Sequence, residues 1–359
     1  MAYMEYNEED KHLVDLLMLC CVSDPAFIYG SESMAQKVLH KCIDFRRSEW
    51  VKQSTCYFPG CTNKAVKDCH SISNKMMIHP IADDQHVISP LLDHHSRSYM
   101  LKRVGVNMAS VFPGFCSKHE ASFAFEKEGV ISDSRGLQMH MFRTICHNLH
   151  FIEVERRHTE YNRELVGKYM MAALAQYLKI NPPAKTDQRK ILDGILRMAL
   201  EGFDLRIQRR MENISFVKCK WYEPNGRLFG YGTNDEFYKL FYDELVECPA
   251  QPVTLSCASF FDETPRDENG TPDFSYTYYV NMFPNRGATH VHFTCLSEKS
   301  ELLKKLASRF EGGRFAALQI ERWMINETEN WFMRPSFFES KGEQFRNHLI
   351  TLLNRSIGL

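Results

Sequence analysis

Apolar positions recur at helical spacing through the first half of the chain and alternate more often in the second. Leu13, Leu16, Leu17 and Cys20 fall on one face of a predicted helix over residues 8–22. Ala35, Val38 and Cys42 do the same for 33–47, with Ser31 or Ser33 placed to cap its start. The plain purpose of this pair is a helical hairpin packing on the next part of the chain. Helical patterns fill 136–180, among them Leu137 to Phe142 and Leu165 to Leu178, and Pro182-Pro183 stops the second. A further helix runs from Asp187 to about Met211. It carries Arg189, Lys190, Arg197, Arg206, Arg209 and Arg210 against Asp187, Asp193, Glu201 and Asp204. Mixed signs at helical spacing describe a solvated face rather than a phosphate-binding stripe.

From Ile214 the pattern turns to strands, predicted at Ser215–Trp221, Val253–Phe261, Tyr276–Met282, His290–Cys295 and Phe315–Ile320. Asn225-Gly226, Asn269-Gly270 and Asn285-Arg286-Gly287 are turn signals. Helices are expected over 298–310 and 341–355, the last with an apolar stripe of Phe345, Leu349, Leu352 and Leu353. The expected class is α+β. Its segments are an N-terminal helical part (1–50), a cysteine-bearing module (51–135), a helical region (136–213) and a β-rich α+β domain with flanking helices (214–359). The change of pattern after Pro182-Pro183 puts the main domain change near 180–215.

Bulk numbers narrow the class without naming a function. A chain of 359 residues is long enough for two or three domains with proper cores. Hydrophobic residues at 44% and charged residues at 25% make a globular composition. A formal net charge of −1 advertises no nucleic acid globally, so any basic surface would be local. The start, Met1 to Asp10, is acidic and has no basic segment followed by an apolar one, so an ordinary secretory signal is not expected. No run is long and apolar enough to predict a membrane span. The 12 cysteines are scattered and read as reduced thiols plus a metal site, which implies a cytoplasmic protein with no membrane partner.

The stretch from Cys56 to Glu120 carries the chemistry. Cys56-Tyr57-Phe58-Pro59-Gly60-Cys61 is a pair of thiols around a Pro-Gly turn. Phe115-Cys116-Ser117-Lys118-His119-Glu120 offers a second pair at the C-x-x-H spacing of a helix start. Each pair can grip one side of an ion, and together Cys56, Cys61, Cys116 and His119 supply the four soft or borderline ligands of a tetrahedral zinc. Cys69 is a rival that would replace His119 in a four-thiolate site. Between the pairs, Gln85 to Ser89 reads as a strand and Asp93 to Arg97 as a turn in which His94 and His95 are loop residues, and from Ser117 onward Ala121, Phe123, Ala124 and Phe125 suggest a helix. Asn330-Trp331-Phe332 and Phe337-Phe338 read as core aromatics rather than a base-stacking platform.

A knuckle, then a hairpin, then a helix with the second ligand pair is an order that resembles the treble clef, and through it the HNH endonucleases. The resemblance implies a structural zinc that fixes hairpin against helix in 51–135. It places His70 where that family has its general base, and Glu120, directly after the last zinc ligand, where a carboxylate helps hold a catalytic Mg2+ or Mn2+. Asn74 and Asn107 are candidates for the middle asparagine by position. The chain departs from the pattern in its C-x4-C first pair, its C-x2-H second pair and the long interval from His70 to Cys116. A wider similarity is to uncharacterised bacterial and phage-type proteins with an H-S-I element followed by F-C-x-K-H. The implied function is a zinc-containing protein that binds or cleaves DNA or RNA, in a phage–host conflict setting such as antiviral defence. The alternative is a non-enzymatic interaction or ligand-sensing protein that uses the clef as scaffold and takes a protein partner through its C-terminal domain.

Overall fold

The computed structural model describes residues 13, 15–17, 28–29, 31–52, 55–93, 98–128, 134–183, 187–231, 234–285, 287–312, 314–328 and 330–356. The class is α+β, in accord with the patterning. Two compact units divide the chain: Met1–Glu49 with Ile152–Asn213, and Trp50–Phe151 with Ile214–Leu359. The division therefore differs from four consecutive segments. Strands from within 51–135 belong to the same sheet as strands beyond residue 240, so module and C-terminal domain form one unit.

The first unit is helical throughout its described residues that belong to named elements. Helix α1 (Glu32–Val51) begins where the Met34 N–H donates to Ser31 Oγ at 3.1 Å, so Ser31 is the cap. Of the helix expected over 8–22, residue 13 and residues 15–17 are helical and the rest lies outside the described residues. Met170, Leu174 and Leu178 repeat four apart and close on Ile191, Ile195, Leu17 and Ile28. The basic residues of 187–211 divide. Arg210 holds the buried Glu155 together with Arg46, and Asp204 takes Arg163, whereas Arg189, Lys190, Arg197 and Arg206 are exposed. Burial works to raise Glu155, but the Arg46 and Arg210 guanidiniums bring its carboxyl below the usual range.

In the second unit a short ribbon of β1 (Cys69–His70) and β4 (Val111–Phe112) precedes α2 (Ser117–Glu120). A seven-stranded sheet follows the order β3 (Ser98–Gly105), β2 (His86–Asp93), β9 (Trp331–Met333), β6 (Val253–Phe260), β7 (Thr277–Asn285), β8 (Ala288–Leu296), β5 (Phe241–Pro249). Neighbours pair antiparallel. Strand β7 is buried at every position from Thr277 to Phe283, as a central strand covered on both faces must be. Leu255, Val280, Phe293, Trp323 and Trp331 share one core with residues of the helices Ser300–Ser308, Arg314–Arg322 and Gly342–Ser356. Along the helix α3 (Ser134–Ile180), Thr144 Oγ1 donates to Asn281 Oδ1 at 2.7 Å and Asn148 Nδ2 to Tyr279 OH at 2.9 Å. A polar seam thus joins this part of α3 to the sheet.

Two predicted strands are helices. Ser215–Trp221 continues the helix Gln188–Phe216 into a π-helical turn, with Val217 and Trp221 buried four apart. Phe315–Ile320 lies in Arg314–Arg322, where Ala316, Ile320 and Trp323 are buried at helical spacing and Leu318 is 61% exposed. In both places a short apolar run satisfies either period, and packing selects the helical one. Asn225-Gly226 is not a turn but lies in the helix Glu223–Tyr231. The strands at 253, 277 and 288 agree with expectation to within a few positions, and Gly270 and Gly287 sit at positive φ in the predicted turns. Strand β5 was not predicted. Trp331 and Phe332 are core, as read from the sequence. His94 and His95 lie outside the described residues.

Candidate metal centre

The knuckle is built by its own backbone. The Cys56 N–H donates to Asn63 O at 2.8 Å, the Cys61 N–H donates to Phe58 O at 3.0 Å, and Gly60 takes φ +76°, a conformation side chains resist. The knuckle is tied to the second pair by the Tyr57 N–H on Gly114 O at 2.9 Å and the Val66 N–H on Phe115 O at 2.8 Å. Behind it, His150 on α3 joins Tyr57 OH at 3.2 Å to the Trp50 carbonyl at 3.0 Å. Gly226 permits a close approach here, since a Cβ would stand 2.1 Å from Pro59 Cγ.

Cys56, Cys61, Cys116 and His119 bring one ligand atom each to within 4.8 Å of one another. Cys56 Sγ and Cys116 Sγ each lie 3.4 Å from His119 Nδ1, and the sulfurs of Cys61 and Cys116 are 3.9 Å apart. A tetrahedron with metal–sulfur bonds of about 2.3 Å has edges of about 3.8 Å, so the donors already stand at ligand spacing. The group could hold a metal such as zinc. The His119 ring stacks on Phe58 with centroids 3.9 Å apart, which fixes Nδ1 inward. Burial, with Lys118 adding to it, lowers the His119 pKa and favours the neutral imidazole that a metal binds. Burial pushes Cys56 up to about 12. Cys116 goes the other way: burial opposes it, but the N–H groups of His119 and Lys118 and the Cys56 and Cys61 thiols bring it below its ordinary value. A bound cation would hold all three as thiolates.

Cys69 is not part of this group. Its sulfur accepts the Phe115 N–H at 3.2 Å, and burial, reinforced by the Glu120 charge, raises it to about 12. It is a buried thiol, and the four-thiolate alternative is not the arrangement observed.

His70 lies on β1 opposite Val111 of β4, half-buried. Its Nδ1 is 2.8 Å from the Ala109 carbonyl, its Nε2 is 3.5 Å from Asn74 Nδ2, and Asn74 Nδ2 donates to Asn107 Oδ1 at 3.3 Å. The contact with a carbonyl requires the proton on Nδ1, which leaves the lone pair on Nε2. Both candidate asparagines therefore gather at His70, although they are far apart in sequence.

Glu120 has a different neighbour. Arg143 on α3 places NH1 and NH2 on Glu120 Oε1 at 3.0 and 3.1 Å, and its NH1 also reaches the His70 carbonyl. The guanidinium is 1% exposed and lies 3.8 Å over the Phe123 ring. Arg143 was missed in the sequence. Its signal was a lone charge among Met141, Phe142, Ile145 and Cys146, a buried helix face that tolerates an arginine only when the charge is paired. Asn63, whose side chain is 4.0 Å from Cys116 Sγ, gave no signal of its own.

The donor set that would hold a divalent ion at Glu120 does not fit one. The carboxylate is already neutralised by a fixed guanidinium, and among the described residues the Cys–His group is the one cluster with metal-holding geometry. No helix among the described residues is long and apolar enough to cross a membrane. No family model, curated protein or solved structure matches the chain.

Proposed function

We propose that Cys56, Cys61, Cys116 and His119 form a structural zinc centre, and that the clef it fixes is an HNH-like module acting on nucleic acid through His70. The observation that carries the reading is the setting of His70. Its Nδ1 is pinned by the Ala109 carbonyl at 2.8 Å and its Nε2 stands beside Asn74. An imidazole held in this tautomer can take a proton from a water attacking a phosphodiester. Asn74, backed by Asn107, is placed to orient that water or a phosphate oxygen once it leaves Nε2. Zinc, when bound, supplies only the crosslink between knuckle and helix. Exposed Lys64, Lys67, Lys75 and Lys118 belong to the same module and give DNA or RNA a local counter-charge.

A second reading has its own support. The pairing of Glu120 with Arg143 suits a clef that binds without cutting, or one that serves only as scaffold. The buried contact of Asn330 Nδ2 with Ser71 Oγ at 3.0 Å ties the clef to the C-terminal sheet, as a scaffold for a protein-binding surface would be tied.

The test uses zinc-loaded protein on single- and double-stranded DNA and RNA, with magnesium, with manganese and with neither. Binding or cleavage by the wild type, lost on His70→Ala while zinc content and melting stay unchanged, is the expected result. Wild type that neither binds nor cuts any of these substrates would leave the scaffold reading in its place.

A further inference from the structure

We propose that the clef carries its own cation, Arg143, and takes no divalent ion at Glu120. The inference rests on the HNH-like reading only for the expectation that an ion would sit there. Its physical basis is independent of that reading. Two nitrogens of one guanidinium converge on Glu120 Oε1 at 3.0 and 3.1 Å. Arginine does not give up its proton, so the positive charge is permanent. Arg143 cannot swing aside, because its side chain is 1% exposed, lies over Phe123 at 3.8 Å and Phe115 at 5.8 Å, and is also held by the His70 carbonyl. A divalent ion on the same carboxylate would stand beside a fixed like charge.

The remaining oxygen offers no better place. Glu120 Oε2 is a buried atom, and the carboxylate acts on the buried Cys69 thiol by its charge and a side-chain hydrogen bond, so this side of Glu120 faces protein. The imidazole of His70 meets Ala109 and Asn74, and the His70 carbonyl accepts from Arg143. His70 and Glu120 thus share Arg143 instead of sharing an ion. Any action of the clef on an anionic group proceeds from His70, Asn74 and surface cations, without added magnesium or manganese.

The experiment is a manganese titration of zinc-loaded full-length protein, with free Mn2+ followed by electron paramagnetic resonance. Wild type and Glu120→Gln are expected to bind Mn2+ to within twofold of each other at 1 mM. A stoichiometric Mn2+ in the wild type that Glu120→Gln removes would overturn the proposal. A stoichiometric Mn2+ that both bind equally sits elsewhere and upholds it. Arg143→Met should gain a Mn2+ equivalent that the double variant with Glu120→Gln lacks, and circular dichroism shows whether these two fold. If they do not, wild type against Glu120→Gln still decides. The titration asks nothing of nucleic acid, so an inactive clef and an ion-binding Glu120 are separate results.

Discussion

The ribbon and helix around the Cys–His group and the sheet of the second unit are built differently. Around the Cys–His group stand two strands of two residues each and a four-residue helix, Ser117–Glu120. Ladders this short cannot hold a hairpin in water on their own. Six of the seven strands of the sheet have eight or nine residues, around a core that includes Val280, Phe293 and Trp331 at 0% exposure. One region has four side chains that a metal could crosslink, the other has apolar area. The comparison teaches that a metal ligand and a core residue should fail in different ways.

The largest expected effect is therefore at the Cys–His group. Cys116→Ser should abolish stoichiometric zinc and open residues 55–70 and 111–120 to hydrogen exchange, since structural zinc contributes on the order of 10 kcal/mol in small modules. Strands β6 to β8 should keep their protection, and unfolding of the whole unit at the same step would erase the distinction. Next in size is Phe293→Ala, which should cost about 3–5 kcal/mol in denaturant melts and leave zinc stoichiometry at one in the folded protein. The smallest is Gly226→Ala. The added methyl meets Pro59 Cγ at 2.1 Å, so the knuckle must move, at a cost of about 1–3 kcal/mol. Its signature is a weaker zinc affinity in competition with a chelator, and an unchanged affinity would show that the knuckle yields freely.

What could be read in advance follows the same line. The four ligands were legible because a thiol or imidazole pair at fixed spacing has few other uses. Strands β6, β7 and β8 were legible because their apolar runs are bounded by turn residues. Phe315–Ile320 and Ser215–Trp221 were not, because alternation over so few positions fits a helix equally well and the neighbours that decide are distant in sequence. Strand β5 carries Asp243, Glu244 and Glu247, and an edge strand needs only part of its length buried. Glu120, singled out in the sequence for its place directly after His119, is paired with Arg143 on a helix whose pattern reads as plain core. A carboxylate shows in a sequence. The cation that claims it does not.

The hairpin between the two Cys–His pairs has a consequence for the order in which the chain assembles. Both ligand pairs have been synthesised once His119 is made. Strand β2 lies between them in sequence, yet its Ile88 is registered against Met333, near the far end of the chain. During synthesis the ion can close its loop early, and the hairpin His86–Gly105 then waits, tethered at both ends, for the partner that completes its ladder. Closing the loop between the pairs first shrinks the volume that this hairpin explores and lowers the entropy lost when β9 arrives. Refolding of the full chain should accordingly run faster when zinc is present from the start than when it is added after the sheet has formed.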